Sequence, residues 1–400
     1  MFRSPVFLVA VLCSACGPLV APRPDGGSGG GGGSLLGGGT GGSGGGTGGG
    51  SLGGGTGGGS LGGGTGGGSL GGGTGGGSTG GGGGATGGGA GGGATGGGGG
   101  QVGPLSWASI TLTGATSSSY IIGISGSATD LWAVQDTGYL FHSTGGAFTL
   151  QTPIQYGAKA LYASGGTVVI IQTRSLRTCT ANCTTEAAFA NFDLLGGAFN
   201  LFGEAVCGLG PNDITAIVSG TDSMAQVFHW DGTAWTRTNA NLGVRYPRAC
   251  WFDAAGSLNV VGEGAVARSE MGATTIQPLA SAATVYYGGA DVGGTSWVVG
   301  PSHYVARRSG STWTPFTVST TSTLHVVGGP SENEVYALGY FASSVGNGFK
   351  WNGTTLAPLG NILPNTGTQS MIRSMVVTGP NELYMGGSNT SGPIIIRGRR

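Results

Sequence analysis

Charge is scarce in this 400-residue chain: 16 basic and 16 acidic side chains cancel, and together they are only 8% of the residues. Two of the basic residues are lysines, Lys159 and Lys350, and the rest are arginines. With no basic stripe able to neutralise several phosphates at once, the composition argues against nucleic acid as a partner. Long hydrophobic runs are missing too. An apolar run over 6–12 falls well short of the ~20 residues that cross a bilayer, and no later stretch reaches that length. There are four histidines, with no H-E-x-x-H, no Cys/His cluster spaced for zinc and no D-x-D-x-D-G calcium loop, so neither a metal nor another cofactor is expected. Helical periodicity is absent as well.

Glycine is what the chain has in excess. Most of its 94 glycines lie between Gly26 and Gly100, where SLGGGTGGG starts at Ser51, Ser60 and Ser69. Glycine has the highest backbone entropy to lose, and one leucine in nine residues cannot offset it, so this tract is expected to be a disordered tether. A Gly-rich coil of that length spans roughly 45 to 50 Å. Ahead of it, MFRSPVFLVAVLCSAC has one cation, an apolar run and small residues, the layout of a secretory signal. The segment LCSAC also resembles the bacterial lipoprotein signal, which implies cleavage before Cys16 and acylation of that cysteine. The leucine stands four residues ahead of Cys16 rather than the usual three. Gly17 in place of an acidic residue implies, by the same resemblance, an outer-membrane lipoprotein. The expected organisation is a signal peptide over 1–15, a lipid-anchor cysteine and tether over 16–103, and a folded domain over 104–400.

That domain is expected to be all β. Short apolar runs opened by a polar residue recur as DLWAV, TVVII, DITAI, SLNVV, TSWVV, EVYAL and ELYMG, and they start 37 to 48 residues apart. Both the spacing and the β-branched content suit four-stranded propeller blades. In the third repeat the strands are read at 204–208, 214–219, 226–230 and 235–239. The last repeat supplies three strands before the chain ends, and the segment 106–112 reads as the missing fourth. A seven-bladed β-propeller closed by that N-terminal strand leaves no open edge. GPNDITAI followed by VFHWDGTAWT resembles the repeat of bacterial propeller proteins of the WD40/kelch type, many of them secreted lipoproteins on Gly/Ser-rich tethers. The resemblance implies a ring architecture and a binding role.

The phrase HWDGTAW at 229–235 has a near copy, KWNGTTL, at 350–356, and looser ones at 142–148 and 307–313. Asp-Gly and Asn-Gly predict a two-residue hairpin turn, and the seventh residue (Phe148, Trp235, Trp313 or Leu356) is expected to pack between neighbouring blades. Residue types that recur from blade to blade belong to the scaffold. His142, His229, Asp130, Asp213, Glu334 and Glu382 are set aside on that ground, the acids being expected to satisfy turn amides. What does not recur is the candidate site: Glu204, Arg248, His325 and Arg373 near the starts of first strands, with Tyr246 and Trp251, forming a polar and aromatic floor at the mouth of the central channel. Loops 221–225, 340–348 and 359–369 add a recognition surface. Cysteine pairing is expected as Cys179 with Cys183, a local clamp, and Cys207 with Cys250, which fall at matching first-strand positions of adjacent blades.

Two functions compete with a monomeric, non-catalytic module that binds a protein or glycan ligand. One is a propeller hydrolase or lyase acting on polysaccharide or a cyclic peptide, which needs a second acid or a histidine near Glu204 or Glu263. The other is a structural part of an envelope assembly.

Overall fold

The computed structural model describes residues 103–194, 201–282, 284–316, 318, 323–341, 348–360, 362 and 370–400. The signal peptide, Cys16, the tether and most of loops 340–348 and 359–369 lie outside the described residues.

Each recurring apolar run is the second strand of an antiparallel four-stranded unit. The first unit comprises Ile121–Ser127, Asp130–Gln135, Tyr139–Ser143 and Phe148–Pro153. The second comprises Ala158–Ser164, Thr167–Gln172, Ser175–Cys179 and Ala190–Asp193, and the third Phe202–Gly210, Asp213–Ser219, Met224–Trp230 and Trp235–Arg245. The fourth is Ala249–Phe252, Leu258–Val261, Ala265–Glu270 and Ala273–Pro278, and the fifth Gly288–Val292, Thr295–Val299, Val305–Ser309 and Thr312–Phe316. The sixth is Leu324–Ser331, Glu334–Phe341, Gly348–Trp351 and Leu356–Leu359. In the last, Ser370–Gly379, Glu382–Asn389 and Gly392–Arg399 are joined by Ser106–Ile110, which pairs antiparallel with Gly392–Arg399 from Ser106↔Arg399 to Ile110↔Ile395. The sixth and last units share one sheet through Tyr340↔Met371 and Phe341↔Ser370.

The segment expected as one strand over 106–112 divides. After Ile110 the chain leaves the last unit, and Leu112–Thr113 pairs parallel with Phe148–Pro153 of the first.

Apolar clusters lie between consecutive units, which is why second strands read as continuous rather than alternating runs: both of their faces are covered. In Thr167–Gln172 every residue is buried. Val169, Ile171 and Leu176 of the second unit pack with Ile214, Phe228 and Trp235 of the third. Ile121, Leu131 and Phe148 of the first pack with Tyr384 and Ile395 of the last. First strands also lie side by side, each against that of the next unit, and Ser370–Gly379 lies against Ile121–Ser127. The seventh residue of the repeated phrase is the wedge between units. Trp235 also donates its indole N–H to Thr178 Oγ1 at 2.8 Å, and Trp313 donates to Gln277 Oε1 at 3.0 Å, in each case across to the preceding unit.

The phrase itself forms a longer turn than the two-residue hairpin expected. Trp230 pairs with Trp235 and Trp351 with Leu356, so the loops span 231–234 and 352–355. Asp231 Oδ1 accepts the N–H groups of Thr233 and Ala234 at 2.8 and 2.9 Å, and Asn352 Oδ1 does the same for Thr354 and Thr355 at 3.0 and 2.8 Å. Because the side chain organises the loop, left-handed backbone is needed only at Gly232 (φ 97°) and Gly353 (φ 93°).

Both disulfides form, with Cα atoms 5.7 Å apart for Cys179–Cys183 and 5.8 Å for Cys207–Cys250. The second joins the first strands of the third and fourth units.

Candidate functional site

One backbone irregularity organises the candidate residues. In the first strand of five units, near its start, the pairing with the second strand slips by one residue. The slips fall between Ile121 and Gly123, Ala158 and Ala160, Gly203 and Ala205, Leu324 and Val326, and Ile372 and Ser374. The residues they leave unpaired are Ile122, Lys159, Glu204, His325 and Arg373. At the matching positions of the fourth and fifth units stand Arg248 and Tyr287, whose N–H groups bond to Val261 O at 2.9 Å and Val299 O at 3.0 Å. A bulge frees one residue from the alternation of a strand and re-aims its side chain. Each unit therefore presents one residue of independent character at the end where the chain enters its first strand.

Neighbours in this series touch. Glu204 Oε2 accepts from Arg248 Nη1 at 3.2 Å, while Glu204 Oε1 accepts from Ser219 Oγ at 2.9 Å. This pair sits beside the Cys207–Cys250 bridge, so the third and fourth units are joined twice. The rings of Tyr287 and His325 lie 5.1 Å apart. Burial, and then the positive charge of Arg373, push the His325 imidazole down to about 4, so it is neutral at physiological pH. The Arg373 guanidinium lies 5.2 Å over the Tyr120 ring, and its Nε is 3.0 Å from Met371 Sδ. Met371 also lines a cleft of about 190 Å³ with Tyr340, Ser370, Ser388, Asn389 and Thr390.

Four of the six expected site residues thus belong to one series. The other two do not. Trp251 is 6% exposed and belongs to the apolar cluster between the fourth and fifth units, with its ring where a Cβ at Gly289 would collide. Tyr246 is exposed, in left-handed backbone (φ 47°), under the Arg245 guanidinium at 5.2 Å. Lys159 and Tyr287 were missed because they are unremarkable by type. Spacing would have found them: every residue of the series stands eight or nine positions ahead of the first residue of its apolar run, as 159 does to 167 and 287 to 295.

The recurring acids hold basic side chains of the third strand. Asp130 Oδ1 lies 2.9 Å from His142 Nε2, and Asp213 Oδ1 lies 3.1 Å from His229 Nε2. Glu334 Oε1 lies 2.7 Å from Lys350 Nζ, and Arg397 donates to Glu382 through Nε at 2.8 Å. In the fourth unit buried Asp253 takes Arg268 at 2.9 Å and Arg308 of the fifth unit at 3.1 Å. Burial opposes ionisation of Asp253, but hydrogen bonds from Arg268, the Ser257 N–H and Arg308 outweigh it and hold the carboxyl well below its usual range. Glu263 faces Arg245 at 3.6 Å.

Neither a protein-family model nor a curated protein matches this sequence. Solved structures do resemble the fold. YCF48 from Cyanidioschyzon merolae matches with a TM-score of 0.55 at 12% identity, over 74% of this chain and 98% of that one. A structure of YCF48 bound to D1 peptide gives 0.55 at 13% identity, over 75% and 96%. The WD40 beta propeller domain of Doa1 gives 0.53 at 9% identity, over 74% and 96%. At such identities the likeness is one of architecture: the described domain has a β-propeller fold. Its two disulfides fit an oxidising, exported environment. Among the described residues no helix is long and apolar enough to cross a membrane.

Proposed function

We propose that this chain is an exported, non-catalytic binding module: a closed seven-bladed propeller, tethered through an acylated Cys16 to the outer membrane, that takes a protein ligand at the mouth of its channel. Closure is supported by the pairing of Ser106–Ile110 with Gly392–Arg399, and by first strands that lie one against the next until Ser370–Gly379 meets Ile121–Ser127. The series of bulge residues carries the functional reading. A scaffold that repeats its core so regularly varies this position from unit to unit, which is how a recognition surface differs from a framework. Glu204 and Glu263, the acids a hydrolase would need, are each engaged by an arginine. A protein ligand is favoured over a glycan because a propeller of like architecture is known bound to a peptide. The chain is expected to act as a monomer.

The test is affinity capture from intact envelopes with the full chain, run beside the double variant Arg248→Ala/Arg373→Ala. A partner that is retained by the parent and lost by the variant supports the reading; a partner held equally by both removes the channel mouth from it. Cys16→Ser should abolish incorporation of labelled palmitate, and label that persists would place the anchor elsewhere.

A further inference from the structure

We propose that the channel mouth is an acid-reading site, in which Arg373, Lys159 and Arg248 bind the carboxylate side chains of an acidic peptide segment whose backbone lies in the cleft beside Arg373. This rests on the binding function proposed above and specifies its ligand.

The chain's few charges are distributed unevenly. Outside the bulge series, Arg177 is placed against Glu186, Arg245 against Glu263, Arg268 and Arg308 against Asp253, Lys350 and Arg400 against Glu334, and Arg397 against Glu382, while among the described residues Arg174, Arg307 and Arg399 have no carboxylate within ion-pair distance, Arg307 lying over the Trp297 and Trp351 rings. Within the bulge series the balance is positive. The series holds three cations, Lys159, Arg248 and Arg373, and one acid, Glu204, which is occupied by Arg248. Among the described residues Lys159 and Arg373 have no carboxylate within ion-pair distance, and His325, being neutral, adds no charge. A row of residues with an excess of two positive charges attracts an anion.

Three surroundings narrow the anion to part of a peptide. Tyr120 lies under the Arg373 guanidinium, which fixes the plane of a fork suited to a carboxylate. Ile122 and Tyr287 give the rim apolar surface between the charges. Next to Arg373, through Met371, runs a cleft to which Tyr340, Ser388 and Asn389 contribute polar side chains of the kind that hydrogen-bond a peptide backbone. Glu204 acts in this arrangement as an internal competitor: it occupies Arg248 until a ligand carboxylate replaces it.

The probes are fluorescently labelled hexaglutamate and hexaglutamine peptides, titrated by polarisation against the full chain. The glutamate peptide should bind at least about tenfold tighter than the glutamine peptide, and its affinity should fall steeply towards about 0.5 M salt. Lys159→Gln/Arg373→Gln should weaken it about tenfold. Glu204→Gln should strengthen it severalfold, an effect that damage to the fold would not produce. Equal binding of the two peptides, an unchanged double variant, a weakened Glu204→Gln, or tighter binding of an oligogalacturonate than of hexaglutamate would each overturn the proposal. If the envelope partner is still lost on Arg248→Ala/Arg373→Ala while hexaglutamate fails to bind, the binding function stands and the acidic class is wrong.

Discussion

His325 ties the candidate site to the stability of the whole domain. Burial and the neighbouring Arg373 lower its imidazole from 6.5 to about 4 in the folded chain. In the unfolded chain it titrates at its ordinary value. Below about pH 6.5 the unfolded state therefore takes up a proton that the folded state refuses until about pH 4, and stability falls with pH across that window. Linkage between those two values gives a loss of about 2 kcal/mol between about pH 8 and about pH 5. With an m-value of about 3 kcal/mol per molar urea, the midpoint should drop by about 0.7 M from this residue alone. Urea unfolding followed by tryptophan fluorescence at both pH values gives the total change. His325→Asn removes the His325 part and leaves His142, His229 and His303 in place. The variant should lose less stability on acidification than the parent, by about the 2 kcal/mol above. Identical losses in parent and variant would refute the account of His325 as a buried neutral group beside Arg373.

Three further outcomes follow from contacts described above. Arg400, 12% exposed at its side chain, ties Glu334 of the sixth unit to Gly103 O at 2.6 Å and Pro380 O at 2.7 Å, so Arg400→Ala should cost about 2 to 3 kcal/mol in chemical unfolding. A loss below about 0.5 kcal/mol would mean that Lys350 and the Tyr336 hydroxyl satisfy Glu334 without Arg400. Opening Cys207–Cys250 with Cys207→Ser/Cys250→Ser releases a loop of 43 residues and should cost about 4 kcal/mol on the chain-entropy account, against about 2 for Cys179→Ser/Cys183→Ser; thermal melts that rank the two the other way would contradict it. The Asp231 carboxyl is lowered from 3.8 to about 2 by hydrogen bonds from the Ala234 N–H and from Thr233, so its contribution is present above about pH 4 and lost as pH falls towards 2; Asp231→Asn should flatten that part of the acid unfolding curve, and an unchanged curve would tell against the turn geometry.

Much of the fold was legible because each repeat writes the same strands again. The apolar runs mark strands covered on both faces, and the pairings Cys179–Cys183 and Cys207–Cys250 followed from compartment and position. The hairpin phrase was found correctly and assigned the wrong turn, because Asp231 and Asn352 organise their loops through the side chain, and a dipeptide signal for backbone conformation does not register that. Asp130 and its counterparts were recognised as scaffold, but their partners lie on the third strand, a pairing that depends on register across a hairpin. Trp251 lies three positions after Arg248 in a regularly paired strand, and which residues of that strand face the neighbouring unit depends on packing against Gly289 that the sequence does not display. Lys159 and Tyr287 went unnoticed because the signal lies in their distance from the next run and not in their chemistry.

The central claim is that ligand meets the end of the ring at which the first strands begin. A photo-crosslinking residue in place of Tyr287 puts a probe there, and one in place of the fully exposed Met271, in the turn between Ala265–Glu270 and Ala273–Pro278, puts a probe at the opposite end. Irradiated on intact envelopes, the Tyr287 probe should join the chain to its protein partner and the Met271 probe should not. Adducts from the Met271 probe alone would contradict the account.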